Sequence, residues 1–296
     1  MKIFITSLPE NNWWGNGTPQ YADNPAMIEG TLPNQHTLTQ EWTQLKQTLT
    51  HSGVEVEVVP FPSILDGDDS ANWKHDYVFF RDLYVTNLNG EAVLARFREK
   101  ERQAEVEVVK GYLSEKNQLT IHQLPEDSEC YMEGGELYYC PLEKILFAGE
   151  SRNSKKGNEL TADFLQTDEL IVLKSKGFHL DTVFTPVLDS TGSLCACIVC
   201  MELMDTDSAK RLKDFCQQQI IELLTIHPDE AIGSNGVLGS FAVNCLPLPG
   251  MLIGCAPFKN DAINAGLKNH RVQHVITPLT QFRLSGGSVH CLTNEL

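Results

Sequence analysis

Cys291 stands in the run Ser285-Gly286-Gly287-Ser288-Val289-His290-Cys291-Leu292-Thr293-Asn294-Glu295-Leu296, where a glycine pair opens what reads as a short strand over 288–293. Glycine permits close backbone approach, so the sulfur is expected to be both fixed and reachable. Acids and a histidine recur beside other apolar stretches. Asp76 and Asp82 bracket Tyr77-Val78-Phe79-Phe80-Arg81, Glu133 precedes Gly134-Gly135, and His179 and Asp181 are two apart in an extended run. Taken singly, each has an ordinary structural explanation. Asp82 could salt-bridge a nearby arginine or cap a strand, and Glu133 could open a turn. His179 could be a satisfied core histidine, and Cys291 a small buried hydrophobe. As a set they point to chemistry, because a buried carboxylate without a partner is costly. Peptide hydrolysis of the Cys–His kind needs oxyanion donors rather than a crowd of acids. A cationic carbon electrophile suits the set better: carboxylates can grip a planar guanidinium and turn its carbon toward a thiolate.

These residues must be positioned by the elements around them. Strands are expected at 2–7, 54–60, 76–85, 92–97 and 118–123. The run 130–139 places an acid beside glycines near a strand, and further strands are read at 144–149, 170–174, 178–186, 194–201, 241–246, 251–254, 272–276 and 288–293. Helices are read over 101–114, 157–166, 207–225 and 260–268, and another from Leu38, Trp42, Leu45 and Leu49, with Gly53 placed to end it. Asp76 and Asp82 would then share a strand face, as would His179 and Asp181, while His290 would point away from Cys291. Strand pairs followed by a helix and another strand recur every 50 to 60 residues or so. No linker or low-complexity stretch interrupts them, so one domain over 1–296 is expected. The long loop 11–33, with its paired tryptophans, reads as a lid.

The order of these motifs resembles the guanidino-group-modifying superfamily: arginine and agmatine deiminases, dimethylarginine dimethylaminohydrolases, arginine dihydrolases and amidinotransferases. Asn24-Pro25-Ala26-Met27 resembles its N-terminal lid segment, and Asp76 to Asp82 its first acidic strand. Arg96-Phe97-Arg98-Glu99-Lys100-Glu101-Arg102-Gln103 resembles its arginine-bearing segment. Glu133-Gly134-Gly135, Gly149-Glu150-Ser151-Arg152 and Phe178-His179-Leu180-Asp181-Thr182 follow in family order, and the segment around Cys291 closes it. The fold this implies is an α/β propeller of five ββαβ repeats. By the same resemblance Cys291 is the nucleophile and His179 the general acid–base, paired with Glu133. Asp82 and Asp181 hold the guanidinium nitrogens, with Asp76 in the same acidic segment. Arg102, Arg152 and Arg98 are candidates for a substrate carboxylate, although the turn at Arg152 is one residue shorter than the usual form. Neither metal nor cofactor is implied. Dihydrolase-type relatives carry Asn where this chain has Asp82, and many dimethylarginine hydrolases carry Lys where it has Asp181. Acids at both positions favour an unmethylated guanidinium and ammonia release. Methylarginine hydrolysis, amidino transfer and a catalytically silent binding protein of the same fold are the alternatives.

Composition bounds the rest. The net charge is −16, with 23 Lys and Arg against 39 Asp and Glu, which argues against nucleic acid as a partner. No run is long enough to span a membrane. Nine cysteines, an odd number without regular spacing, imply reduced thiols and a cytoplasmic protein. Cys195, Cys197 and Cys200 are dense enough to suggest a metal site, but they lack paired knuckles and read as part of a core strand. Oligomeric state is not legible.

Overall fold

The computed structural model describes residues 2–13, 26, 29–66, 75–115, 119–126 and 129–296. Asn24, Pro25 and Met27 of the lid motif lie outside the described residues; Ala26 is buried. Five three-stranded sheets carry the chain, and each has the same plan. A central strand pairs antiparallel with one neighbour and parallel with the other, and a helix makes the parallel crossover. In the first sheet β1 (Lys2–Thr6) is central. Helix α1 (Gln35–His51) leads to its parallel partner β2 (Glu55–Val59), and β17 (Asn294–Glu295) supplies the antiparallel one. The second sheet is β3 (Tyr84–Thr86), β4 (Glu91–Leu94), α2 (Gln103–Ser114) and β5 (Thr120–His122). The third is β6 (Leu137–Cys140), β7 (Ile145–Gly149), α3 (Lys155–Phe164) and β8 (Glu169–Leu173). The fourth is β9 (Phe184–Leu188), β10 (Leu194–Val199), α4 (Thr206–Gln219) and β11 (Glu222–Thr225). A two-stranded hairpin, β12 (Gly233–Ser234) and β13 (Val237–Leu238), precedes the fifth: β14 (Leu246–Leu248), β15 (Met251–Gly254), α5 (Asp261–Asn269) and β16 (Gln273–Ile276). This is the expected α/β propeller.

The helices form where the apolar spacing places them. In α1, Leu38, Leu45 and Leu49 are buried, Trp42 Nε1 donates to the Thr6 carbonyl at 2.8 Å, and the Asn34 side chain caps the first turn through Thr37 N. Gly53 follows with φ +80°, the left-handed geometry that closes a helix. The helix expected over 207–225 is shorter than its periodicity: it stops at Gln219, Ile220 turns left-handed at φ +59°, and 222–225 becomes a strand.

The main departures from the sequence expectations share one cause. The stretch 76–85 is two 3-10 turns, His75–Val78 and Phe80–Leu83, ahead of β3. In 178–186, a 3-10 turn at Leu180–Thr182 precedes β9. The strand expected at 241–246 begins only at Leu246, and 288–293 contains α6 (Val289–Leu292), a single helical turn, before β17. Apart from the partly buried Phe178, all four stretches are buried, so their apolar content reflects burial and not a strand ladder. Thr293 secures the last turn by donating its hydroxyl back to the Val289 carbonyl at 2.8 Å.

Candidate active site

The third sheet has a buried turn of the same kind, Gly134–Glu136, just ahead of β6, and the five buried segments join into a closed ring. Arg81 Nε donates to the His290 carbonyl at 3.5 Å, and Asn294 Nδ2 donates to the Tyr84 carbonyl at 2.9 Å, which ties α6 to the second sheet. Gly134 abuts the Arg81 carbonyl where a Cβ could not fit, which joins the second sheet to the third. Leu180 N donates to Glu136 Oε2 at 2.8 Å and joins the fourth. Asn244 Nδ2 donates to the Asp181 carbonyl at 3.1 Å, and His290 N donates to Asn244 Oδ1 at 3.1 Å, which returns the ring to α6.

The ring gathers titratable groups. The Cys291 thiol donates to Asp181 Oδ2 at 3.3 Å, and that oxygen also accepts from His290 Nδ1 at 2.8 Å. The opposite side of the cluster is built on His179, whose Nε2 meets Glu133 Oε2 at 2.8 Å. Its Nδ1 lies 3.5 Å from Asp82 Oδ1, an ion-pair distance. Gly135 lets these last two approach: a Cβ there would stand 2.5 Å from His179 Nδ1 and 2.6 Å from Asp82 Oδ1. Asp82 Oδ2 is held at 2.7 Å by Arg102 Nη1, and Arg102 is anchored in turn on Glu105 Oε2 at 2.8 Å and on the Asp76 carbonyl at 3.1 Å. Each catalytic-type carboxylate therefore uses one oxygen on protein donors. Asp82 Oδ1, Glu133 Oε1 and Asp181 Oδ1 are buried acceptors that no hydrogen-bond donor among the described residues meets.

The electrostatics follow from burial and crowding. Burial disfavours a charged imidazole at His179, but Asp82 and Glu133 outweigh it and hold that imidazole up at about 9. Glu133 is buried too, yet the hydrogen bond and charge of His179 keep its carboxyl below the usual range. Burial pushes Asp181 up to about 7, against the pull of His179. Burial, then Asp181 and Asp82, hold the Cys291 thiol well above its ordinary value. His290, buried and near the positive charges of Arg81 and His179, stays neutral. Its Nδ1 then carries the proton given to Asp181. The site is a neutral thiol beside a charged imidazole and a group of carboxylates.

A model of the family described as "N,N dimethylarginine dimethylhydrolase, eukaryotic" matches residues 28–296. The chain belongs to this family. With that match the chain falls in the pentein, or guanidino-group-modifying, superfamily. It is 27% identical over 278 residues to the bifunctional arginine dihydrolase/ornithine cyclodeaminase ArgZ of Synechocystis, covering 92% of this chain and 35% of that protein. It thus spans about a third of the length of the curated relatives it matches. In fold it is similar to an N-terminal domain of ArgZ covalently bound to a reaction intermediate, with TM-score 0.79, 23% identity, and 99% and 96% of the two chains covered. A dimethylarginine dimethylaminohydrolase solved as an adduct with 4-chloro-2-hydroxymethylpyridine gives TM-score 0.69 at 13% identity, covering 100% and 99%.

In this dimethylarginine dimethylhydrolase family member, Cys291, His179, Glu133, Asp82 and Asp181 come together as one cluster, and Asp76 lies at its edge through Arg102. Most of the Arg102 guanidinium is committed to the protein. Its Nε, one Nη1 and both Nη2 hydrogens serve Glu105, Asp82 and the Asp76 carbonyl. That leaves one Nη1 hydrogen uncommitted among the described residues. These contacts make Arg102 the support of Asp82. Arg152 donates its backbone N–H to Glu136 Oε1 at 2.5 Å and a guanidinium hydrogen to Glu99 Oε1 at 3.2 Å, and Arg98 lies exposed over the Tyr131 ring. Gly287 packs against the Phe79 ring, and Gly286 takes φ +85°. His290 does not point away from Cys291, because neighbours on a helical turn are about 100° apart, not the 180° of a strand. Glu105, the buried anchor of Arg102, and Asn244 carry no motif that marks them in the sequence. Cys197 and Cys200 are core residues of the fourth sheet and the turn after it. No group of three or more His, Cys, Asp or Glu among the described residues is arranged to hold a metal, and no described helix is long and apolar enough to cross a membrane.

Proposed function

We propose that this chain, as one domain, is a deiminase-like hydrolase that releases ammonia from the unmethylated guanidinium of arginine or a related compound. The observation that carries the reading is the trio of buried carboxylate oxygens on Asp82, Glu133 and Asp181 that accept no hydrogen bond among the described residues, set around the Cys291 thiol and the His179 imidazole. A guanidinium supplies N–H donors in one plane and a positive charge, which such acceptors need. The dihydrolase names of the curated relatives support arginine; the family description supports a methylarginine as the second reading.

In this mechanism a bound guanidinium offsets the negative field of Asp181 and Asp82 and so lowers the cost of the Cys291 thiolate. The thiol proton is released to solvent as the guanidinium binds, so that Asp181 stays charged against the bound cation. The sulfur attacks the guanidinium carbon, and His179 protonates the departing amine, which breaks the C–N bond and leaves an S-alkylthiouronium. Neutral His179 then takes a proton from water. The resulting hydroxide attacks the same carbon, the C–S bond breaks, and a ureido product forms. Substrate carboxylate recognition falls to Arg152, with Arg98 beside it and Arg102 contributing its remaining hydrogen.

The discriminating experiment is a panel of free arginine, mono- and dimethylarginines, agmatine and guanidino acids, assayed for ammonia, methylamines and the ureido product. Ammonia and citrulline from arginine are the expected products. Methylamine release with inert arginine would replace this reading with the second. The profile of kcat/KM against pH should be bell-shaped. Its acid limb falls near 7, as Asp181 ionises, and its alkaline limb near 9, as His179 loses the proton it must donate. A profile flat across that interval would remove His179 as the general acid.

A further inference from the structure

The fifth sheet contributes a residue to the ring that no sequence motif marked. Asn244 lies in the buried turn ahead of β14, and its carboxamide is saturated by the site. Oδ1 accepts from two backbone groups, His290 N at 3.1 Å and Cys291 N at 3.4 Å. Nδ2 donates to the Asp181 carbonyl at 3.1 Å and to Cys291 Sγ at 3.2 Å. Rotating the amide by a half-turn would set NH2 against two N–H donors and oxygen against a carbonyl, so the partners decide the orientation. Aspartate has the shape without the donors, and alanine has neither.

Building on the assignment of Cys291 as nucleophile, we propose that Asn244 is its positioning residue: the carboxamide fixes the sulfur over the Asp181 carboxylate, and its N–H supports the thiolate. Apart from the Ser288 backbone N–H, which also favours the thiolate, the groups that face the sulfur oppose ionisation. Asp181 and Asp82 are negative, and neutral His290 reaches the sulfur only through Asp181. The positive charges of His179 and Arg81 act on Asp181 and His290. Asn244 is the side-chain donor that lowers the thiol's proton affinity in this setting. An N–H···S bond keeps its donor as sulfur gains charge, and a hydrogen bond to a charged partner is stronger than one to a neutral partner. The benefit therefore appears when the thiolate forms and again when it departs from the thiouronium.

The test is the rate of alkylation of Cys291 by iodoacetamide across pH, read on the Cys291 peptide by mass spectrometry, in wild type, Asn244→Ala and Asn244→Asp. Circular dichroism serves as the control for folding. Asn244→Ala is expected to slow alkylation at pH 8 by about tenfold and to move the profile to higher pH. Asn244→Asp keeps the shape and both backbone contacts, so it remains informative if the alanine variant does not fold; its shift should be at least as large. Turnover lost in both variants with Cys291 alkylation profiles superimposed on wild type would make Asn244 a structural strut only and overturn the proposal. The alkylation readout uses no guanidino substrate. Failure of the arginine reading would show in the wild-type substrate panel, and failure of this proposal in the pH profile.

Discussion

Replacing Cys291 with serine is expected to lower arginine turnover by about 10^3-fold or more, while arginine still binds and the fold is retained. The side chain is buried, with Asp181 and Asn244 as polar neighbours, so an oxygen of similar size is accommodated without a new cavity. What changes is chemistry. The site already holds the thiol protonated, and a hydroxyl there would be far harder to ionise between two carboxylates. The three carboxylate acceptors are untouched, so calorimetry should find arginine affinity within a few-fold of wild type. A thiouronium adduct trapped by acid quench in the wild type should be absent from the variant. Wild-type turnover in Cys291→Ser would end the covalent mechanism.

The second large effect is a pair of opposite changes. Asp181→Asn should reduce kcat/KM for arginine by about 10^3-fold or more, because the site loses a charged partner of the guanidinium. The same change should make Cys291 more reactive toward neutral iodoacetamide, by about tenfold at pH 8. The sign follows from what holds the thiol up: burial first, then the charge of Asp181, then Asp82. Asparagine leaves burial unchanged and removes the second of these. His290 can still donate Nδ1–H to the amide oxygen, so the local geometry has a partner in place. Slower alkylation in Asp181→Asn would mean that the carboxylate assists ionisation, and Asp181 could not be what keeps the thiol protonated.

The repeat and its helices are legible in the sequence because each helix carries an apolar stripe against its own sheet, as Leu38, Leu45 and Leu49 do in α1. The acids, His179 and Cys291 are legible because reactive residues in apolar surroundings require an explanation. The turns that carry them are not. Residues around Asp82, Asp181 and Cys291 are buried by neighbouring sheets, and burial from all sides erases the alternation that separates strand from turn. A strand pattern therefore turns His290 away from Cys291, when in the folded chain both reach one oxygen of Asp181. Arg102 can be recognised as an arginine near the site, but the buried Glu105 that redirects it toward Asp82 is three residues away on the same helical path and looks like any surface acid. Asn244 does have a signal. Once the repeats are aligned, every sheet has a polar residue shortly before its first strand: Asp82, Glu136, Asp181, Asn244 and Cys291. An asparagine has no titratable group to draw attention, and only its place in the repeat marks it.

The pairing of β17 with β1 has a kinetic consequence. Leu296 N and Lys2 O meet at 3.1 Å, and Arg81 is clamped on Glu295, so the sheet at the beginning of the chain is completed by its last residues. Cys291 lies just ahead of that seam. Contacts this distant in sequence form late in folding, because the intervening chain must first be ordered to bring them together. The nucleophile is therefore expected to be set in place as the circle closes, and recovery of thiol reactivity during refolding should lag behind recovery of helix content.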